Sequence, residues 1–595
     1  MAGLLLKNCR VFDLENQKIR SADVLIEREL IKQIAPVGGL QARGLKSEVL
    51  DLKGKYLAPG LIDAHLHIES SMLTPLEFAQ AAVVHGTTAI FVDPHEIANV
   101  RKEGIDLFLK LAEIVPLDLY VGIPSCVPAT HLEDAGAEVT LEDIKRLIAH
   151  PRAYGLAEMM NFPGIIHGFG DARAKVDLVY GQGKIVDGHC PLVGGADLVS
   201  YITNGKKDGI LRIMSDHEST GYEEALEKSR AGMYVAMRYG SASKDLNKIL
   251  PGFIKNQDNL NRLMLCSDDL EAFELEADGH LDRTLRRTRE IILENSVLNL
   301  DQATMIALRL ACLNPGKYFE RFFKLVKESP IGEVREGYRA NLVVFQDLET
   351  LKVDQVLVRG KLVAKSGRLI GKERKSSFKG FLNTVNLGKT FTPEDFRIQS
   401  PSSGPATGGM KVNVIEAIPN SLLTKKLVLE ILVQEGEFKA DPGRDLAKIA
   451  VIERHRATGK FALGLVKGLG IKKGAVACTV GHDSHNLMVV GVDDRAMASA
   501  VNHLAETGGG MIAVSGKKKV FHSLEVAGLM SEKSAKQVAA SYQKVKTQAK
   551  AQGTPLDNIF MTLSFLALPV IPELKITDQG LVDVTKFDFI PLIAS

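Results

Sequence analysis

Two histidines lie one residue apart at the end of an apolar run, in Gly60-Leu-Ile-Asp-Ala-His-Leu-His. The run is typical of a β-strand, and residues i and i+2 of a strand point to the same side. The imidazoles of His65 and His67 can therefore reach one metal ion. Because a lone His-x-His is common, the prediction of a metal site depends on what else the chain brings to it.

Four further polar residues stand at the C-terminal ends of later strand-like runs: Glu158, His189, His217 and Asp268. Each alone is more often a helix cap or a satisfied polar side chain, but here they follow the order of successive strands. Three or more imidazoles with carboxylates suit a first-row divalent metal such as Zn, Mn or Fe. A carboxylate between two pairs of histidines can bridge two ions, and such a pair sharply activates a water molecule.

The elements that must position these residues lie between residues 59 and 325. Strand-like runs alternate there with helix-like segments such as Pro75-Leu-Glu-Phe-Ala-Gln-Ala-Ala. This alternation predicts an α/β fold, a (β/α)8 TIM-like barrel, in which the C-terminal strand ends meet on the face that carries the active site. The eight strand candidates begin at Gly60, Thr88, Leu117, Ala153, Lys184, Leu211, Gly232 and Arg262.

Two β-rich stretches flank this region, at residues 1–58 and 326–380. Neither is long enough to make a robust sheet alone, so we expect them to pair into one composite β-sandwich domain with the barrel inserted between them. Residues 381–595 again alternate strands and helices and predict an additional C-terminal α/β domain. A Pro/Gly/Ser cluster at 401–409 indicates a boundary or an exposed loop.

The composition of the 595-residue chain excludes several classes of protein. Lys plus Arg number 74 and Asp plus Glu 72, a net charge of +2 that argues against binding nucleic acid by bulk charge. No uncharged apolar run approaches the roughly 18 residues of a membrane span, and the start lacks the features of a signal peptide. The six cysteines are scattered, as expected for reduced thiols. We therefore expect a soluble, cytoplasmic, multidomain protein without a membrane partner.

Several motifs together resemble the amidohydrolase superfamily, metal-dependent hydrolases built on a (β/α)8 barrel with a composite β-domain. More narrowly, the chain is similar to the bacterial adenine deaminases over nearly its whole length. The resemblance is carried by Pro59-Gly-Leu-Ile-Asp-Ala-His-Leu-His-Ile-Glu-Ser-Ser, Val92-Asp-Pro-His-Glu, Ala157-Glu-Met-Met-Asn-Phe-Pro-Gly, Asp187-Gly-His-Cys-Pro, Ser215-Asp-His-Glu-Ser, Cys266-Ser-Asp-Asp and Gly481-His-Asp-Ser-His-Asn.

The resemblance implies roles for the strand-end residues. His65 and His67 look like ligands of the more buried metal, and His189 and His217 like ligands of the second. Glu158 looks like the bridging carboxylate. Asp268 resembles the last-strand aspartate that touches metal and water and shuttles the proton. The family implies two divalent ions, with Mn or Fe favoured and Zn as an alternative, a small-molecule substrate and a homodimer.

A second set of polar residues forms the candidates for substrate binding: Asn161, Phe162, His95, Asp269, His482, Asp483 and His485. Phe162 follows closely on Glu158 and offers an aromatic face to a purine. His95, with Glu96, has three interpretations: an extra metal site, a proton shuttle or an ordered loop. The turn that contains His482 and His485 either satisfies its own polar groups or reaches over the barrel mouth.

The reaction that the resemblance implies is hydrolytic deamination of adenine to hypoxanthine and ammonia. Hydroxide attacks C6, and Asp268, aided by His217, accepts a proton and passes it to the departing amine. A further acid must protonate a ring nitrogen. Because Met159 and Met160 have no proton to give, Glu96 is the candidate for this role.

Two alternatives remain open at this stage. The loops that follow Phe162, His189 and Asp269 depart from the family's pattern, and such loops set substrate choice. Another amidohydrolase reaction on the same metal centre is therefore the first alternative: cyclic amide or N-acyl hydrolysis, or deamination of a different purine. The second is a non-catalytic paralogue that serves as a binding or assembly module, which predicts a degraded set of metal ligands.

Overall fold

The computed structural model describes residues 3–40, 48–371, 375–400, 409–419 and 421–594. Most of the Pro/Gly/Ser cluster noted above therefore lies outside the described residues. The N-terminal strands belong to one sheet. Burial along the first strands is uneven because one side of the sheet packs on a core while the other meets water. The five strands are β1 (Leu4–Asp13), β2 (Lys18–Glu27), β3 (Leu30–Ala35), β4 (Glu48–Asp51) and β5 (Tyr56–Pro59).

Eight short strands follow, and every strand candidate of the predicted barrel corresponds to one of them. They are β6 (Leu61–Leu66), β7 (Thr87–Val92), β8 (Asp118–Ile123), β9 (Ala153–Met159), β10 (Ile185–Gly188), β11 (Ser215–Asp216), β12 (Tyr234–Arg238) and β13 (Leu263–Cys266). Strands β6–β10 pair in parallel, as do β11–β13. The predicted fold class is confirmed.

Backbone hydrogen bonds join these two sets of strands at both seams. The amide of Asp268 donates to the carbonyl of His65 at 3.1 Å, and the amide of His67 donates to the carbonyl of Asp268 at 3.3 Å. At the other seam the amide of Met214 donates to the carbonyl of Val186 at 3.0 Å. The first and last strands are thus held together at their C-terminal ends, where the predicted site residues stand.

Helices connect the barrel strands and cover their outer faces. They are α1 (Pro75–Val83), α2 (His95–Val100), α3 (Glu103–Leu111), α4 (Leu141–Leu147), α5 (Phe162–His167), α6 (Ala172–Gly181), α7 (Gly195–Ile202), α8 (Tyr222–Arg230), α9 (Leu246–Lys255), α10 (Ala272–Asp278), α11 (Leu281–Glu294), α12 (Leu300–Leu308), α13 (Asn314–Tyr318) and α14 (Glu320–Val326). Aromatic side chains fill the barrel interior: the rings of Phe91 and Phe319 stack, with Tyr120 and Tyr154 beside Phe91. The interior is therefore a packed core that supports the strand ends.

The second flank completes the sheet that the first flank begins. Its strands are β14 (Leu342–Phe345), β15 (Val353–Val358), β16 (Lys361–Lys365) and β17 (Arg368–Leu369). Strand β14 pairs antiparallel with β5, which places Val343 opposite Ala58 in one nine-stranded sheet. The structure thus confirms that the two flanks form a composite β-structure around an inserted barrel.

The C-terminal region contains a mainly antiparallel ten-stranded sheet and a three-stranded sheet. Its strands are β18 (Ile398–Gln399), β19 (Gly409–Ala417), β20 (Thr424–Gln434), β21 (Glu437–Phe438), β22 (Leu446–Ile452), β23 (Phe461–Lys467), β24 (Ala475–Cys478), β25 (Leu487–Gly491), β26 (Gly510–Ser515), β27 (Lys518–Ser523), β28 (Leu574–Thr577), β29 (Gly580–Asp583) and β30 (Asp588–Ile590). Its helices are α15 (Asp494–Thr507), α16 (Ala535–Ala551) and α17 (Ile559–Phe565).

One loop of this region reaches the barrel. Strands β24 and β25 are antiparallel neighbours, and the turn between them, residues 479–486, contains the predicted His/Asp cluster. Within this turn Asn486 donates from its side chain to the carbonyl of Asp134, in a barrel loop, at 2.8 Å. The amide of Ser531 also donates to the carbonyl of Met72 at 2.8 Å. None of the described helices has the length and apolar character that a bilayer crossing requires.

Candidate active site

The His-x-His pair stands at the end of β6 with both rings turned to one point. The Nε2 atoms of His65 and His67 lie 3.2 Å apart, and both residues are buried. Nδ1 of His67 lies 3.0 Å from the carbonyl oxygen of Asp93, to which it donates, and Nε2 is therefore the nitrogen that faces the cluster. Two imidazole nitrogens this close to each other can both be ligands of one cation placed between them.

Glu158, at the end of β9, separates two sets of imidazoles with its two carboxylate oxygens. Oε1 lies 3.5 Å from Nε2 of His67 and 3.3 Å from Nδ1 of His95. Oε2 lies 2.5 Å from Nδ1 of His189 and 3.0 Å from Nε2 of His217. A carboxylate in this position can offer one oxygen to each of two ions, which is the arrangement predicted for a bridging ligand.

Asp268 closes the cluster on the side of the last strand. Its Oδ1 lies 3.4 Å from Nε2 of His67 and 3.6 Å from Nε2 of His65, and its Oδ2 lies 3.5 Å from Nη1 of Arg238. Its φ of +55° is a left-handed conformation that aspartate tolerates better than most residues. Burial alone would raise the pKa of Asp268, but the hydrogen bond from His67 and the charge of Arg238 hold it well below its usual value.

The electrostatics of Glu158 follow the same pattern. Burial raises its pKa, yet the adjacent His189 and His217 outweigh this effect and hold the pKa well below the usual range. The residue is therefore an anion surrounded by imidazoles. Nδ1 of the buried His95 lies 3.3 Å from carboxylate oxygens of both Glu158 and Asp93.

The donor set fits divalent transition metals. Imidazole nitrogens and carboxylate oxygens are the ligands that Mn, Fe and Zn share. Within each of five groups, the potential ligand atoms lie within 4.8 Å of one another: His65, His67 and Asp268; His65, Glu158 and His217; His67, His95 and Glu158; His189, His217 and Glu218; and His95, Glu96 and Asp483. All six predicted metal ligands are thus brought together at the barrel mouth.

Two charged residues at this mouth were missed by the sequence analysis. Glu218 directly follows His217, and its Oε1 lies 3.6 Å from Nε2 of that histidine. Arg238 ends β12, and its Nη1 donates to Glu218, while its Nε and Nη2 donate to Asp245 at 3.1 and 2.9 Å. Arg238 stands at the C-terminal end of its strand, as the predicted metal ligands do, so the same strand-end rule points to it.

A buried lysine holds two ligand-bearing loops together. Nζ of Lys228 donates to the carbonyl of Cys190 at 2.7 Å and to Oδ2 of Asp216 at 3.0 Å. Cys190 follows His189, and Asp216 precedes His217. The fully buried ammonium thereby fixes the separation of the two imidazoles that face Oε2 of Glu158.

The C-terminal turn places its histidines on Glu96. Nδ1 of His482 lies 2.6 Å from Oε1 of Glu96, and Nε2 of His485 donates to Oε2. The pKa of His482 is lowered by burial but raised overall to about 9 by Glu96, whereas burial lowers the pKa of His485 to about 4. Of the two interpretations of this turn, the structure therefore supports the one in which it reaches the barrel mouth.

The other substrate-binding candidates lie at different distances from the cluster. Asp269 is adjacent to Asp268 and accepts a 2.5 Å hydrogen bond from the side chain of Ser70. Asn161 caps α5 by accepting from the amide of Gly164 at 2.9 Å, and Phe162 packs on the hydrophobic core. Within the described residues no hydrogen bond or ion pair joins Asn161 or Phe162 to the imidazoles.

Comparisons with known proteins agree with this architecture. Residues 56–363 match the Amidohydrolase family, and residues 421–588 match the Adenine deaminase C-terminal domain. The chain is 40% identical over 591 residues to an adenine deaminase of Desulfatibacillum aliphaticivorans, with 99% of this chain and 97% of the relative covered. An adenine deaminase of Dehalococcoides mccartyi is 40% identical, with 99% and 96% covered, and one of Methanothrix thermoacetophila is 39% identical, with 99% and 97% covered.

The barrel, its composite sheet and the ligand-rich strand ends define an enzyme of the amidohydrolase family. Within that class the chain belongs to the adenine deaminase family, since full-length relatives share about 40% of its residues and its C-terminal region matches the domain named for that enzyme. The resemblance predicted from the motifs is therefore confirmed.

Proposed function

We propose that this enzyme hydrolyses adenine to hypoxanthine and ammonia. The observation that carries the proposal is the position of Glu158, whose two oxygens face separate sets of imidazoles, in a chain that matches adenine deaminases from end to end. The other five predicted ligand residues stand around this carboxylate. This complete set argues against a non-catalytic paralogue.

We assign His65 and His67 to one divalent ion, His189 and His217 to a second, and Glu158 to both. The donor chemistry favours Mn or Fe, with Zn as an alternative. When bound, such a pair lowers the pKa of water from 15.7 to about 7, which makes hydroxide available near neutral pH.

Asp268 is the residue that we assign to proton transfer. Arg238 and His67 favour its anionic form, so it is ready to accept a proton from the attacking water. After attack at C6, the same carboxyl group returns this proton to the departing amine, with His217 beside it. The overall balance is one adenine and one water consumed, with one hypoxanthine and one ammonia released.

Substrate contacts are proposed at the rim of the cluster, at His95, Asp269, His482, Asp483 and His485. Asn161 and Phe162, at the start of α5 after β9, are proposed as further contacts. The donor of the ring-nitrogen proton stays a prediction. Glu96 is the residue that the sequence suggests, and both of its oxygens already contact imidazoles of the C-terminal turn. The neighbours from which a proton given by Glu96 would be replaced are His482, at 2.6 Å from Oε1, and His485, which contacts Oε2.

The test is a turnover assay of the manganese-loaded enzyme on adenine, on other aminopurines and on cyclic amides. Adenine deamination releases ammonia and gives the absorbance change of hypoxanthine. We expect adenine to have the highest kcat/KM of the set. A higher kcat/KM for a cyclic amide or a different purine would replace the proposal with the alternative reaction on the same centre.

Replacement of Lys228 by Met is expected to lower activity by about 10- to 100-fold, because residues that orient metal ligands typically have effects of this size. The variant also removes the lysine that forms an ion pair with the buried Asp216, which costs about 3–5 kcal/mol and lowers the melting temperature. Metal content, activity and thermal unfolding measure these effects. Lys244→Met, at an exposed lysine, is the control. Unchanged metal retention and activity in Lys228→Met would contradict the positioning role.

We further propose a cytoplasmic homodimer, consistent with the reduced cysteines and with the family resemblance. Sedimentation velocity of the full chain tests the oligomeric state. A monomer at micromolar concentration would overturn the dimer without affecting the catalytic assignment.

A further inference from the structure

A second cluster of ligand-type side chains lies between the barrel and the C-terminal turn. We call His95, Glu96 and Asp483 the interdomain cluster. Nε2 of His95 lies 3.4 Å from Oε1 of Glu96 and 3.9 Å from Oδ1 of Asp483, and all three residues are buried. The opposite nitrogen of the same ring, Nδ1, faces Glu158 at 3.3 Å. The two nitrogens of His95 thus face different groups of ligands.

The spacing in the interdomain cluster matches atoms arranged around a cation. With metal–ligand bonds of about 2.1 Å, two ligands of a tetrahedral site lie about 3.4 Å apart. The distances of 3.4 and 3.9 Å from Nε2 of His95 are close to this value and longer than most hydrogen bonds. The potential ligand atoms of all three residues lie within 4.8 Å of one another.

Asp483 supplies an independent observation. Its Oδ2 is buried and has no hydrogen-bond partner in the described structure, although an unpaired buried carboxylate oxygen is costly. The residue lies beside Glu96, and the imidazoles of His95 and His482 face its Oδ1 at 3.9 and 4.0 Å. A cation between Asp483 and Glu96 would give the unpaired oxygen a partner and offset the repulsion between the two neighbouring carboxylates.

The neighbouring histidines hold Glu96 in place for such a role. The amide of Gly481 donates to Nδ1 of His485 at 3.3 Å, so Nε2 of His485 carries the proton that it donates to Glu96. His482 approaches the other oxygen of Glu96 at 2.6 Å. Outer histidines that orient a ligating carboxylate are a common feature of metal sites.

We propose that the interdomain cluster binds a third divalent transition-metal ion, separate from the pair assigned to Glu158, and that this ion joins the C-terminal turn to the barrel. A nitrogen and two carboxylates suit Mn, Fe or Zn. A cation here leaves Glu96 without a proton to give and occupies His95 and Asp483. The assignment is therefore an alternative to the proton-donor prediction for Glu96 and to substrate contacts at His95 and Asp483, and a count of bound metal ions separates them.

The experiment counts metal ions and does not depend on activity. The full chain is saturated with Mn²⁺, freed of loosely held ions on a desalting column and analysed by mass spectrometry for manganese per chain. Asp483→Asn removes the charge of one ligand with little change in shape. Asp578→Asn is the matched control: Asp578 is also buried in the C-terminal region, and its Oδ1 contacts to Asn486 and Asp134 survive the substitution.

We expect about three manganese ions per chain in the wild type and in Asp578→Asn, and about two in Asp483→Asn. A wild-type count of two or fewer overturns the proposal, whatever the variants do. A count of three in Asp483→Asn places the additional ion elsewhere and also overturns it. Because the wild-type count is informative by itself, the test holds even if a variant fails to fold.

Discussion

Glu158→Gln is expected to abolish adenine turnover and to reduce the metal content of the enzyme. The amide keeps the shape of the side chain but replaces one anionic oxygen with an NH₂ group, which would face a cation or an imidazole nitrogen with the wrong polarity. His189 and His217 lose the carboxylate that they share at 2.5 and 3.0 Å. Loss of about 4 kcal/mol of transition-state stabilisation corresponds to about a thousandfold in rate, and we expect at least this.

The measurement pairs ammonia release with metal analysis of the same preparation. The metal content should fall by one ion per chain. The four histidines and Asp268 can still hold one ion, but the neutral amide no longer provides the negative charge that both ions share. Glu113→Gln, at a half-exposed side chain, is the control and should match the wild type in both assays. Full turnover by Glu158→Gln would show that this carboxylate does not serve two ions.

The barrel and its site could be predicted because the ligand-type residues fall at the ends of the segments whose pattern indicates strands. Strand runs that end in His, Glu or Asp mark the face on which a parallel barrel builds its site. His65 and His67 share a side of β6 by the two-residue period alone. Glu158 and Asp268 follow once the strands are placed in order, and the structure brings all of them within 4.8 Å of neighbouring ligand atoms.

Residues that act through ion pairs were harder to find. Glu218 and Arg238 are 20 positions apart in the chain and pair only after β12 is placed beside β11. Lys228 stands on α8, where a lysine normally faces water, and its burial depends on carbonyl and carboxylate partners from two other loops. Charge in a sequence is most often solvated charge, so the residue types carry no signal of such burial.

The C-terminal turn shows a second limit. Glu96 and His485 are 389 positions apart, and they meet because one hairpin of a separate sheet reaches the barrel mouth. No local pattern in either segment predicts the other. The motif Gly481-His-Asp-Ser-His-Asn indicates a polar turn with residues that could bind or catalyse. Whether this turn satisfies its own polar groups or reaches over the barrel mouth depends on how the C-terminal region packs against the barrel.

Asp268→Asn is expected to lower kcat by about 10²- to 10⁴-fold, the range typical for removal of a general acid–base group. Asparagine keeps the size of the side chain and one acceptor oxygen, but its amide cannot accept and return a proton. The metal content should remain at the wild-type value, because Glu158 and the four histidines are intact. This retention distinguishes the expected defect from that of Glu158→Gln.

Single-turnover and steady-state assays on adenine, together with metal analysis, test this expectation. Asp278→Asn changes an exposed aspartate ten residues along the chain and is the control, with activity expected to match the wild type. If Asp268→Asn retained kcat within a few-fold of wild type, the proton would have another acceptor. If it instead lost an ion, Asp268 would serve chiefly as a ligand. The separation of rate from metal content therefore decides which of the two roles of this carboxylate limits catalysis.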